Sequence, residues 1–177
     1  EMGMSNFGEI SSLSQTARPT IGIITNIGYS HIQNLGSREG ILKAKLELLD
    51  GLPVESPLIL NGDDDMLSNL ENVINRDIIY YGIDNSDVDV RAVNVQTQNN
   101  ATTFDIVFWG KTISVKLNCI GIHNVKNALA AFCVGMVTDI EPEKMVEAIG
   151  QFLPEGLRQS IVKKGEQTLI IDCYNAS

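Results

Sequence analysis

At 177 residues, with 44% hydrophobic and 20% charged side chains, the chain is long enough to bury a core and has the composition of an ordinary globular protein. Its net charge of −9 excludes broad binding to nucleic acid or anionic lipid, yet leaves room for a nucleotide site built from a few local donors. No run approaches the roughly 18 apolar residues of a membrane span, so no membrane insertion is expected. Three cysteines, Cys119, Cys133 and Cys173, are odd in number and lack C-x-x-C spacing, which points to reduced thiols in the cytoplasm and away from a zinc site.

From the N-terminus, residues 8–17 read as a short helix with Ile10 and Leu13 on one face, ended by Arg18-Pro19 because the residue before proline is pushed out of the helical region. Thr20 to Thr25 is continuously apolar, as a strand buried on both faces would be. A polar loop carrying His31 follows, and Ser37 caps a helix whose apolar positions are Ile41, Leu42, Leu46 and Leu49. Pro57 to Asn61 is a second strand, closed by the acidic turn Gly62-Asp63-Asp64-Asp65. A helix through Met66, Leu67, Leu70, Val73 and Ile74 then leads to a strand over Ile78–Gly82. This strand, helix, strand rhythm predicts an α/β fold with a mostly parallel doubly wound sheet as its main body.

Between Asp87 and Leu117 apolar residues alternate with polar ones, with turns at Gln98-Asn99-Asn100 and Trp109-Gly110-Lys111. That pattern predicts three antiparallel strands forming a small, flap-like second sheet. An apolar helix over Val125–Val137 comes next. Another helix begins at Glu141-Pro142, with Met145, Val146 and Ile149 as its core face. Two final strands, Ser160–Lys163 and Thr168–Ile171, flank a turn at Lys164-Gly165-Glu166. An opening on Glu1 and a stop at Tyr174-Asn175-Ala176-Ser177, just after an apolar strand, point to a piece of a longer protein.

The chemistry gathers at the carboxyl end of the first strand, where open α/β sheets bind their ligands. Position alone leaves His31 either a loop histidine bonded to backbone or a ligand, and Lys45 either a solvated lysine or a member of the same site. The three adjacent carboxylates Asp63, Asp64 and Asp65 point in different directions and lack the remaining ligands of a calcium loop, so they read as a solvated turn and helix N-cap. Asn124 is a helix cap or a presenter of amides to a base. Arg158 is a phosphate clamp or a surface charge, and Asp172 a ribose-binding carboxylate or a strand-end turn residue.

Taken as a set, these segments resemble the Mur ligase family, ATP-dependent amide-forming enzymes of bacterial cell-wall synthesis. The resemblance rests on Glu1-Met2-Gly3-Met4 with Gly8-Glu9-Ile10, Thr25-Asn26-Ile27-Gly28 with Ser30-His31, Leu35-Gly36-Ser37 with Glu39, and Ala44-Lys45. It continues through Leu60-Asn61-Gly62-Asp63-Asp64, Gly121 with His123-Asn124, Asn127-Ala128-Leu129-Ala130-Ala131, Arg158, and Asp172 with Tyr174-Asn175-Ala176-Ser177. The motifs fall in the family's order and cover nearly the whole chain. The opening and the ending are most similar to the branch that adds D-alanyl-D-alanine to UDP-N-acetylmuramoyl tripeptide through an acyl phosphate. Folate-polyglutamate ligases share the His and Lys signals and are the nearest alternative; a non-catalytic nucleotide-binding paralogue is another.

The resemblance implies ATP and Mg2+ as cofactors. It implies that Glu1 and His31 contribute to magnesium binding and that Lys45 is carbamylated, becoming an anionic oxygen donor, so that His31 and Lys45 are the catalytic pair. Asn124, with His123 or Asn127, would contact the adenine, Arg158 the phosphates or ribose, and Asp172 the ribose; Thr25 and Asn26 would shape the loop or touch substrate. The family's glycine-rich P-loop does not occur in the sequence. Residues 1–171 are therefore expected to be a central ATP-binding domain lacking its P-loop part, and 172–177 the start of a linker to a C-terminal domain. A chain of this extent is not expected to turn over alone.

Overall fold

Leu58, Ile59 and Leu60 have no exposed surface, and the strand they form, β2 (Leu58–Asn61), lies between two parallel neighbours, β1 (Gly22–Ile24) and β3 (Ile78–Gly82). The computed structural model describes residues 1–153, 160–171 and 173. Successive side chains of β2 enter opposite layers, as the period of a strand requires. Leu58 and Leu60 pack with Ile24 beneath two helices, α1 (Glu9–Ala17) and α3 (Arg38–Leu46). Ile59 packs with Tyr81 and the helix α4 (Ile122–Val137) on the other face. Helices on both faces of a sheet that begins with three parallel pairs make this the expected α/β architecture.

Three expectations need correction. β1, the outermost of the described strands, is not buried on both faces: Gly22 and Ile24 are covered, but Ile23 is 36% exposed and joins neither core cluster. Residues 66–74 form turns and a short 3-10 segment over Leu70–Asn72 instead of a regular helix. Side chains there take the backbone groups a helix would use: Asp64 Oδ1 accepts from Met66 N (3.0 Å) and the Tyr80 hydroxyl from Leu70 N (3.1 Å). Finally, the stretch from Asp87 to Leu117 is no separate flap. Its strands β4 (Val90–Gln98), β5 (Ala101–Phe108) and β6 (Lys111–Leu117) continue the main sheet, with β4 joined parallel to β3 through Tyr81↔Val90 and Gly82↔Arg91.

The hairpins themselves fall where expected. Asn99 and Asn100 (φ 51° and 61°) and Trp109 and Gly110 (φ 46° and 74°) are two-residue loops with both centres left-handed, the geometry that suits the twist of antiparallel strands. The helix α5 (Pro142–Gly150) packs on α4 with Met145 buried. The small antiparallel sheet is instead the hairpin of β7 (Ser160–Lys164) and β8 (Gln167–Ile171). A four-residue helix, α2 (Ile32–Leu35), follows His31 and has no signal in the apolar pattern.

On α1 the inward residues are Ile10 and Ser14, four apart, while Leu13 is 44% exposed. Ser14 Oγ donates to Leu48 O (2.5 Å) and accepts from Gly51 N (3.2 Å), tying α1 to the end of the α3 segment. A Cβ at Gly51 would lie 2.2 Å from the Ser14 carbonyl. Ser14→Ala takes from the Leu48 carbonyl its side-chain donor and leaves Gly51 N with Leu49 O alone, an expected loss of about 1–3 kcal/mol, and Gly51→Ala forces α1 outward at a similar cost of about 1–3 kcal/mol. Urea unfolding checks both: each variant unfolds at lower denaturant than the parent, and an unchanged midpoint contradicts the contact it removes.

Candidate active site

A cleft of about 770 Å³ opens beside the carboxyl end of β1. Its walls are the N-terminal segment from Glu1 to Met4, the loop after Thr25, the inner face of α3, and the stripe of α4 that carries Asn127 and Ala130. Six of the residues singled out from the sequence meet there: Glu1, Thr25, Asn26, His31, Lys45 and Asn127. His123 and Asn124 do not line it. His123 is exposed one helical turn before Asn127 on the same stripe, and Asn124 Nδ2 donates to Ile120 O (2.7 Å), fastening the helix start to the preceding turn. Arg158 and Asp172 lie outside the described residues.

Each wall has a local cause. Ser37 caps α3 by accepting from Gly40 N (3.2 Å), which sets the helix so that Lys45 emerges into the cleft two turns on. Lys45 Nζ donates to Asn26 O (2.6 Å). Burial pushes its pKa down, with the charge of Asp64 pulling the other way. His31 stands exposed at the mouth in the left-handed region (φ 64°), with Ser5 Oγ 3.5 Å from its Nδ1. The N-terminal segment is pinned by Glu9, which accepts from Ser5 N (2.6 Å), Asn6 N (3.2 Å) and Asn6 Nδ2 (3.0 Å). These bonds, that from the Asn6 side chain foremost, hold its carboxyl below the usual range. Glu47, directly after α3, accepts from Gly8 N (2.8 and 2.9 Å) and Ser11 N (3.3 Å), capping α1.

Asp65 of the acidic turn is solvated, with its side chain 70% exposed, but the other two carboxylates are engaged. Asp63 has a side chain only 2% exposed. It accepts from Ile83 N (2.9 Å), Asp84 N (3.0 Å) and Asn85 N (2.9 Å) and pairs with Lys126 at 3.0 Å. Asp64 accepts from Ile27 N (2.7 Å), and Asp65 pairs with Arg38. Sequence reasoning passed over Arg38 and gave Asn61 no role, although Asn61 Nδ2 donates to Thr25 O (2.9 Å) at the edge of the cleft. Asn61 could have been found as a polar residue ending a wholly buried strand.

As a metal site the cleft offers the Glu1 carboxylate and the His31 imidazole. Among the described residues no group of three His, Cys, Asp or Glu side chains is placed to hold an ion. A hard cation there needs a further oxygen donor.

This chain matches the Mur ligase middle domain over residues 1–135. It belongs to the Mur ligase family. It is 39% identical over 178 residues to the UDP-N-acetylmuramoyl-tripeptide--D-alanyl-D-alanine ligase of Bacillus subtilis (strain 168), matching 100% of this chain and 38% of the relative. It superposes on the crystal structure of MurF from Acinetobacter baumannii with a TM-score of 0.90 at 27% identity, covering 99% of this chain and 38% of that one. The MurF ligase of Thermotoga maritima in complex with ADP shares the fold, with a TM-score of 0.87 at 21% identity over 100% of this chain and 40% of that one. The chain spans 38% and 36% of the length of two curated relatives it matches, those of Bacillus subtilis and Synechocystis.

For this Mur ligase domain the buried Asp63 gives a test of the frame around the cleft. Burial pushes its pKa up, but the N–H groups of Asn85 and Ile83 and the Lys126 ammonium outweigh that, and the carboxyl stays below its usual range. The unfolded chain then takes up the proton first as pH falls. Stability from Asp63 is present above the unfolded value near ~4 and is lost as pH drops through the native one. Asp63→Asn should be less stable than the parent at about pH 7 and should lose part of the parent's decline below about pH 4, measured by denaturant titration. Parallel pH curves for the two proteins would contradict this account.

Proposed function

We propose that this chain is the central, ATP-binding part of an amide ligase of peptidoglycan-precursor synthesis that joins D-alanyl-D-alanine to UDP-N-acetylmuramoyl tripeptide. On this reading residues 1–171 are the central domain and 172–177 begin the linker to a C-terminal domain, with the P-loop part supplied by the longer protein. The observation that carries the reading is the convergence of Glu1, His31 and Lys45, from three separate segments, on one cleft. Support comes from the alignment over 100% of this chain with a ligase of that name.

A carboxylate acylates poorly. Transfer of the ATP γ-phosphoryl group to the tripeptide's terminal carboxylate, with ADP leaving, gives an acyl phosphate; the amine of D-alanyl-D-alanine then attacks the acyl carbon, and phosphate departs. The work left to the protein is mostly positioning and charge neutralisation. Glu1 and His31 would hold magnesium, which when bound neutralises charge developing on the phosphoryl group. Lys45 fits the third position because its lowered pKa leaves more neutral amine to add CO2, and the carbamate so formed offers anionic oxygen where an ammonium would repel a cation. Asn127, with His123 and Asn124 on the first turns of α4, is assigned to the adenine; Arg158 is assigned to the phosphates or ribose and Asp172 to the ribose.

The cytoplasm is the assigned location. Cys119 and Cys133 are buried, unpaired thiols, Cys133 pushed up to about 12 by burial. Among the described residues no helix is long and apolar enough to cross a membrane.

The deciding experiment is phosphate release by the full-length protein with ATP, magnesium and both cell-wall substrates. Release that requires both supports the assignment. Release with folate and glutamate instead moves the protein to the folate branch, and none with either makes it a non-catalytic paralogue. In the same assay Lys45→Ala and His31→Ala should each lower kcat by roughly 10²–10³-fold. A carbamate at Lys45 should appear as a carbonyl signal in ¹³C NMR after addition of ¹³C-bicarbonate, growing as pH rises and absent from Lys45→Ala. A signal that persists in that variant would assign the adduct elsewhere.

A further inference from the structure

The hydrogen-bond ladder between β1 and β2 ends at Ile24. Beyond it the chain runs along the cleft for three residues, and side chains from elsewhere take over the backbone groups that the ladder no longer serves. Thr25 O accepts from Asn61 Nδ2 (2.9 Å) and Asn26 O from Lys45 Nζ (2.6 Å). Ile27 is held on both sides: its N–H donates to Asp64 Oδ2 (2.7 Å), and its carbonyl accepts from Arg38 Nε (3.2 Å) and Nη2 (3.0 Å). The Ile27 side chain, 2% exposed, is sunk in the core beneath.

Arg38 is itself fixed. Its Nη1 and Nη2 donate to Asp65 Oδ2 (2.8 Å) and Oδ1 (2.5 Å), and its guanidinium carbon lies 5.4 Å from the centre of the Tyr29 ring. One planar fork thus binds a carboxylate, a backbone carbonyl and an aromatic face together, which a lysine cannot reproduce. His31 lies four residues past Ile27, so the fixed Ile27 peptide is the base from which the histidine is presented.

We propose that Arg38, Asp64 and Asp65 are positioning residues that grip the Ile27 peptide from both sides and so set where His31 faces Lys45 across the cleft. The proposal rests on the reading of His31 as a cation-binding residue, and it deepens that reading by naming what aims the imidazole. Asp65 is 70% exposed, so its ion pair contributes little to global stability, whereas Arg38 is only 23% exposed and also serves the Ile27 carbonyl, so Asp65→Asn is the variant that spares the fold. Ligand affinity, in contrast, is sensitive to small displacements of the groups that hold it. A positioning role therefore separates the two readouts.

The test uses the chain with ¹³C- and ¹⁵N-labelling. Manganese(II) is titrated as a paramagnetic probe, and broadening of the His31 ring signals is followed against those of His123. The parent should show His31 broadening first. In Arg38→Ala the midpoint of that broadening should rise about tenfold, amide exchange at Ile27 and Gly28 should quicken, and the urea midpoint should fall because the Ile27 carbonyl loses its donors; in Asp65→Asn the broadening midpoint should rise while the urea midpoint hardly moves. Arg38→Lys, with the charge but not the fork, should resemble Arg38→Ala, and Asp65→Asn decides the titration if Arg38→Ala folds poorly. Broadening at the parental midpoint in Arg38→Ala, or full recovery in Arg38→Lys, overturns the proposal. Failure of His31 to broaden in the parent sinks the metal reading instead; amide exchange then decides the clamp, and unchanged exchange in Arg38→Ala overturns it.

Discussion

Asp63 accepts three successive backbone N–H groups from the segment after β3 and takes an ion pair from α4, while its side chain is almost wholly buried. A buried carboxylate is tolerable only when its acceptor capacity is filled, and here the partners come from two different parts of the chain. The first residue after β2 and Gly62 therefore fixes both the turn leading to β4 and the position of the helix above the sheet. Asp64 reaches back to Ile27 and Asp65 to Arg38. Three consecutive carboxylates thus point three ways, and each fastens a different piece of the frame around the cleft. Their adjacency in sequence is a by-product of where β2 ends, directly behind the site.

Much of this architecture is legible in the sequence because it is local. Pro57 to Asn61 announces a short strand, Ser37 announces a helix start, and Gln98-Asn99-Asn100 announces a turn between antiparallel strands; each follows from residue-level sterics or burial. The misreadings are all non-local. Ile23 looks as buried as Ile24, and only the fold shows that it lines the cleft and stays exposed. Ser14 outranks Leu13 for an inward position because a carbonyl and an N–H at the far end of α3 need a partner. The apolar spacing of Met66, Leu67, Leu70 and Ile74 suits a helix, but Asp64 and Tyr80 offer its backbone other bonds. Alternation in β4, β5 and β6 reveals strands without revealing that β4 joins β3, since register and partner lie outside any one segment.

The site divides in the same way. His31 and Lys45 carry chemistry in their side chains and stand at element ends, so both can be suspected from sequence, and the fold places them with Glu1, Thr25, Asn26 and Asn127 around one space. The groups that hold them there carry no such mark. Arg38, Asn61 and Glu47 are ordinary polar residues whose partners are 11, 36 and 39 positions away, and nothing in their local pattern forecasts those bonds. The reacting groups of a cleft advertise themselves by type, whereas their supports are known only by what they touch.

The strand order of the main sheet has a consequence for how it is made. Each described strand from β2 to β6 lies beside the strand that precedes it in the chain, so none of these pairings waits for a segment made later. The last three strands are joined by two-residue turns, for which the entropy of closing the loop is small. Such a sheet can grow one strand at a time in the order the ribosome delivers it, each new edge serving as the template for the next. Sheets whose central strand arrives last have a slower, more aggregation-exposed route to the same number of bonds.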